Sequence, residues 1–105
     1  MSAEVIWTGG ASAELQQVFE HINGIAPDNA EQLLQDVSAA LDLLKLQPYI
    51  GSHFVKPSRK WLISGRYGMI YAPEPRGIVV LSFIDMRTDL QPLRKKMRDW
   101  FGRAN

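Results

Sequence analysis

Lys60, Arg66, Arg87, Arg94, Lys95, Lys96 and Arg98 crowd the second half of this 105-residue chain, and two tyrosines, Tyr67 and Tyr71, stand among them. Guanidinium, ammonium and phenol groups in that combination grip phosphates and stack bases, as in the recognition of single strands. Tyr67 and Tyr71 lie four residues apart in a β-prone run, and side chains on a strand alternate with period two, so both point to one face. The competing reading makes them half-buried sheet residues packed on helices, with the charges as a solvated rim. Arg87 stands apart, because it follows an apolar strand whose rigid end aims a long cation in a defined direction.

Other chemistries have little to draw on. The chain has no cysteine, and His21 and His53 are far apart, so neither a disulfide, a thiolate site nor a zinc-type cluster is expected. No nucleophile, base and acid fall at a recognisable spacing. Thr8-Gly9-Gly10 joins a strand to a helix as a phosphate cradle would, but it lacks the lysine of a P-loop and the glycine spacing of a dinucleotide fingerprint. No metal and no cofactor are expected.

The net charge of +1 conceals a division. Residues 1 to 52 hold one base, Lys45, against seven acids, whereas residues 53 to 105 hold eleven bases against four acids. The basic half suits an anionic partner, either nucleic acid or an acidic protein segment. Attraction between the two halves inside one domain is the plainer alternative. Met1-Ser2-Ala3-Glu4 carries an acid where a signal peptide would carry lysines, and no apolar run approaches the length of a membrane span, so the cytoplasm is the expected location.

The elements that must position these groups follow from periodicity. Val5-Ile6-Trp7 is a short β-prone run, and Thr8 or Ser12 can cap the helix after it. From Ala11 to Asn23, Leu15, Val18, Phe19 and Ile22 fall at i, i+3, i+4 and i+7, the stripe of an amphipathic helix. A second helix, from about Asn29 to Leu46, carries Ala30, Leu33, Leu34, Val37, Leu41 and Leu44, with Asp28 and Glu31 as a capping box at its start. The short connection makes an antiparallel hairpin. Gln47 to Ser58 has two prolines and no usable period and reads as a loop.

Three strands then form a meander over Lys60–Ser64, Tyr67–Ala72 and Ile78–Ile84. The last is apolar at almost every position, which predicts a central strand covered on both faces. A C-terminal helix capped by Asp89, with Leu90, Leu93, Met97, Trp100 and Phe101 in a stripe, can supply the second cover. Its cations Arg94, Lys95, Lys96 and Arg98 leave three uses for it: docking on its own sheet, a protein partner, or a membrane surface. The prediction is one α+β domain over residues 1–105, a helical hairpin on a small antiparallel sheet (β-α-α-β-β-β) with a C-terminal helix.

In this order of elements, certain residues resemble the RelE/ParE toxins of bacterial type II toxin–antitoxin modules. The resemblance rests on Val5-Ile6-Trp7 followed by Ala11 and Leu15, on Leu44 through Pro48 to Gly51, on Gly65-Arg66-Tyr67-Gly68-Met69-Ile70-Tyr71, and on Val79-Val80-Leu81 leading to Phe83-Ile84-Asp85-Met86-Arg87. It implies the same fold, a role in plasmid stabilisation, and silencing by a cognate antitoxin. It also implies one of two activities: ParE-like members act on DNA gyrase by protein contact, and RelE-like members cut messenger RNA on the ribosome.

The nuclease route would use Arg87 with Lys60 or Arg59. Such a reaction needs cations to stabilise charge at phosphorus and a group that takes the proton from a 2′-hydroxyl. The arginine common at the start of the second strand of RelE-like members falls here on Lys60, with Arg59 one place away, and lysine lacks the planar fork. After Arg87 there is no tyrosine or histidine. Protein binding is therefore the leading expectation, with Arg66, Tyr67, Tyr71, Arg94, Lys95 and Arg98 as its residues. A third possibility is a non-toxic binding or assembly module of the same fold.

Overall fold

The computed structural model describes residues 3–103; Met1 and Ser2 of the N-terminal stretch, and residues 104–105, lie outside the described residues. Strand β1 (Glu4–Trp7) stops at Thr8, whose hydroxyl caps helix α1 (Gly9–Asn23) by accepting from the Ala11 amide at 3.2 Å. Helix α2 (Pro27–Leu46) follows after three residues and completes the hairpin. The predicted Asp28–Glu31 capping box does not form. Ala26 occupies the cap position without a side-chain bond, and Pro27 opens the helix. Proline has its φ preset and no N–H to satisfy, so it starts the helix two residues before Asn29.

The meander is formed by β3 (Arg59–Ile63), β4 (Tyr67–Glu74) and β5 (Gly77–Asp85). The stretch read as a loop contains a further strand, β2 (Ser52–His53), which pairs with Lys60 and Arg59. Two residues carry no period, so only the partner strand reveals them. The five-stranded sheet runs β1-β5-β4-β3-β2, antiparallel throughout except that β1 joins β5 in parallel. The architecture is the α+β fold expected, with helix α3 (Gln91–Arg103) at its end. Gly77 permits the β1 pairing: its φ is +155°, and a Cβ there would sit 1.9 Å from the Glu4 carbonyl oxygen.

Each face of the sheet carries its own core. Tyr67, Met69 and Tyr71 of β4, with Ile78, Val80 and Phe83 of β5, pack under Leu33, Val37 and Leu44 of α2. Ile70, Ala72 and Leu81 lie on the other face with Phe54 and Met97, flanked by Leu90, Leu93 and Phe101. Burying each such aliphatic or aromatic side chain is worth about 1.5–3 kcal/mol, which is why β5 is apolar at consecutive positions. Ile70 pairs with Ser82 but Tyr71 pairs with Val80, so Leu81 is the extra residue of a β-bulge. That insertion shifts the alternation and lets Val80 and Phe83 serve the same face.

Helix α3 docks on its own sheet through the inner part of its stripe. The Asp89 carboxylate accepts from the Gln91 amide at 3.0 Å and starts the helix. Arg94 then fastens it, donating to the Phe54 carbonyl at 3.2 Å with its guanidinium 4.3 Å from the Phe54 ring centre. Met97 is buried, but Trp100 stays 51% exposed, its ring centre 5.0 Å from that of Phe101. Among the described residues no helix is long and apolar enough to cross a membrane.

Candidate functional site

Asp85 ends β5, and its carboxylate organises the turn that presents Arg87. It accepts from the Arg87 backbone amide at 2.9 Å, while the Thr88 hydroxyl donates to the Asp85 carbonyl at 2.7 Å. The Arg87 side chain folds back on the same carboxylate, with Nε and Nη2 each 3.3 Å from an oxygen. Arg66, in the turn between β3 and β4, reaches it from the other side through Nε and Nη2, both at 3.0 Å. The register of β4 on β5 sets Tyr67 opposite Asp85 and so brings the two arginines together. Arg66 also lies 5.2 Å over the Tyr67 ring, and that ring stacks on Phe83 at 5.4 Å.

One carboxylate thus serves two guanidiniums and leaves the cluster with net positive charge. Hydrogen bonds from the Arg87 amide and side chain, reinforced by Arg66, hold the Asp85 carboxyl down at about 2 from its ordinary 3.8. An acid held that low is a poor proton acceptor at neutral pH. The depressed value adds stability that is present above pH 3.8 and is lost as the pH falls toward 2. In an NMR titration the Asp85 carboxyl is expected to have its midpoint near 2, rising only part of the way toward 3.8 in Arg87→Ala, which removes the side-chain bonds but keeps the backbone amide that contributes most. An unchanged midpoint in that variant would remove the Arg87 guanidinium from the cluster.

Gly68 supports this corner by its lack of a side chain. A Cβ there would stand 2.2 Å from the Met86 sulfur, so the Met86 side chain occupies space that glycine at 68 leaves open and would have to shift for any larger residue. The Met86 amide donates to the Arg66 carbonyl at 2.8 Å, tying both arginine-bearing turns to one frame.

The remaining residues singled out in the sequence are placed differently. Tyr67 and Tyr71 do share a face, but it is the buried one beneath the hairpin, and neither offers a stacking surface. The Tyr71 hydroxyl donates to the Pro48 carbonyl at 2.7 Å and accepts from the Gly51 amide at 3.1 Å, and burial pushes its pKa up. Arg59 donates to the carbonyls of Tyr49 and Gly51, each at 2.8 Å, and covers the Tyr49 ring at 5.2 Å. Tyr71 and Arg59 together brace the chain entering β2. Lys60 lies half-buried on the opposite face of β3, where it pairs with Ile70. Arg94 is committed to docking α3, while Lys95, Lys96 and Arg98 are exposed along it.

Asp85 was missed as a site residue, although its position two before Arg87 and after an apolar strand is the pattern of a side chain closing a turn on its own backbone.

A sequence model described as the ParE toxin of the type II toxin–antitoxin system parDE matches residues 5–90. The fold is similar to that of a solved structure of the chromosomal ParDE toxin–antitoxin system from P. aeruginosa. The two share 18% identity with a TM-score of 0.67, over 80% of this chain and 96% of the other. No curated protein sequence matches the chain.

Proposed function

Because the chain belongs to the ParE toxin family of type II toxin–antitoxin systems, we propose that it acts by protein contact, with DNA gyrase as target and a cognate antitoxin as its inhibitor. The Arg66–Asp85–Arg87 cluster carries this reading. It is an exposed, pre-oriented cationic surface with no proton acceptor suited to neutral pH, since arginine stays protonated and Asp85 is held near 2. Strand cleavage of the RelE kind would need such an acceptor. The hydroxyl of Tyr71 is engaged inside the fold, Tyr67 is buried, and His53 sits opposite Arg59, at the other end of β3 from the β4 turn.

An anionic or hydrogen-bond-accepting protein surface makes no demand for proton transfer. It asks only for donors in fixed directions, which Asp85 provides by holding both forks. The basic sheet end and α3 also suit an inhibitor with an acidic, weakly structured segment that orders on binding.

Induced expression in bacterial cells tests the target. Gyrase inhibition is expected to trigger the DNA-damage response and filamentation while messages stay intact. Arrested translation with cleaved messages would replace this reading by a ribosome-dependent nuclease using Arg87 and Lys60. Normal growth with abundant soluble protein would replace it by a non-toxic binding module.

A further inference from the structure

Strand β1 ends one side of the sheet, and no strand lies beyond it. The Glu4 amide donates to the Arg76 carbonyl at 2.8 Å and the Thr8 amide to the Val80 carbonyl at 3.1 Å, so the peptide groups of Glu4, Ile6 and Thr8 face β5. Peptide groups alternate along a strand, which turns the N–H and C=O of Val5 and Trp7 outward. Past β1, the edge of β5 is already capped. The Thr8 hydroxyl donates to the Leu81 carbonyl at 3.4 Å, and the Glu14 carboxylate accepts from the Phe83 amide at 3.3 Å and from the Ser82 hydroxyl at 3.1 Å. On the far side of the sheet, β2 covers Arg59 and Lys60 and leaves Leu62 as the single outward position of β3 before its turn.

The open edge is apolar on both faces and lacks the guards that edge strands ordinarily carry. Glu4-Val5-Ile6-Trp7 contains no lysine, proline or bulge. Ile6, level with Val79 on the α3 face, is 47% exposed. On the hairpin face the strand borders an open depression of about 410 Å³ lined by Trp7, Ser12, Leu15, Gln16, Phe19 and Leu34. No charged residue lines it, although residues 1 to 52 as a whole hold seven acids against one base. An acidic segment laid here would meet apolar side chains within a negative field, so an uncharged strand is the better occupant.

We propose that this edge is a self-association surface, on which β1 pairs antiparallel with β1 of a second copy about a two-fold axis at Ile6. The spacing of the outward groups fits that symmetry. With the axis at residue 6, Val5 of each copy lies opposite Trp7 of the other, and each such pair exchanges two N–H···O=C bonds, which satisfies every outward group of both residues. The two Ile6 side chains meet on one face, and the two apolar depressions come to the seam on the other, supplying the burial that a short ladder lacks. Charge agrees with the same register. Glu4 of one copy falls opposite Thr8 of the other, at the start of α1, whose first turn holds no acid and whose N-terminal end favours a carboxylate. Within its own chain Glu4 makes only an exposed contact with Arg76 at 3.5 Å. The seam lies along the start of β5, away from the Arg66–Asp85–Arg87 cluster at its end, so the dimer displays two copies of that cluster.

The test is sedimentation of the purified full chain over a concentration series, at low and at high salt. A monomer–dimer equilibrium is expected at both, because backbone bonds and apolar burial make the contact. A dimer confined to low salt would assign association to attraction between the acidic and basic halves and overturn the β1 pairing. Ile6→Lys, which places a guarding charge on the edge, and Leu34→Glu, beside the depression, are each expected to weaken the dimer by about tenfold or more, whereas Leu62→Lys on the other sheet edge stays within about twofold. All three positions are exposed, and circular dichroism checks that each variant is folded. Hydrogen exchange reads the ladder without any variant: the Val5 and Trp7 amides are expected to be protected in the dimer and to lose that protection on dilution. A chain that stays monomeric at NMR concentrations, or a dimer in which those two amides exchange freely and both variants pair normally, overturns the proposal.

Discussion

Tyr71→Ala is expected to lose about 3–5 kcal/mol of stability, read as a large fall in the urea midpoint, the scale for truncating a fully buried aromatic ring. Against the 5–15 kcal/mol typical of a small domain, that brings the protein close to unfolding. The ring has no solvent exposure and lies in the core between sheet and hairpin. Its hydroxyl adds a second role, because it fastens Pro48 and Gly51 before β2. Tyr71→Phe keeps the ring but leaves the buried Gly51 amide without its acceptor, for an expected loss of about 1–3 kcal/mol. A stacking residue on a binding face would behave in the opposite way, with Tyr71→Ala near neutral in stability and defective in binding.

Arg66→Gln/Arg87→Gln is expected to weaken inhibition of the target by at least about tenfold while changing stability little. Exposed ion pairs are worth about 0–1 kcal/mol each, so removing both arginines from Asp85 leaves the fold standing. The loss falls on recognition, since the two forks and their spacing disappear together. Retention of full inhibition in this variant, with normal folding, would move the contact surface away from this end of the sheet.

Much of the architecture was legible because it depends on apolar spacing. Leu33, Val37 and Leu44 fall on one side of a helix wherever that helix begins, and the run from Ile78 to Ile84 asks for cover on both faces whatever supplies it. What escaped was decided in one case by an adjacent residue and otherwise by contacts distant in sequence. The Asp28–Glu31 pattern is a sound cap locally, but Pro27 starts the helix first. Ser52 and His53 become a strand because Arg59 and Tyr71 hold the preceding carbonyls and amide in place.

The tyrosines show the same limit at the candidate site. Period two placed Tyr67 and Tyr71 on one face, but it could not say that the hairpin covers that face. Arg66 and Arg87 are 21 positions apart in sequence and meet only through the β4–β5 register, with Asp85 between them. Arg59, read as a candidate catalytic cation, differs from Arg87 only in its surroundings: its Nη1 donates to two carbonyl oxygens of its own chain. The bulge at Leu81, the Thr8 and Glu14 bonds that close the β5 edge, and the partial docking of α3 have no local pattern to announce them.

The central claim, a toxin that acts by protein contact and not by cutting RNA, is tested most directly with purified components. The chain is added, free of antitoxin, to a DNA gyrase supercoiling reaction and in parallel to ribosomes paused on a defined message. The account predicts loss of supercoiling at near-stoichiometric protein and an intact message. Full supercoiling beside a message cleaved on the ribosome would contradict it.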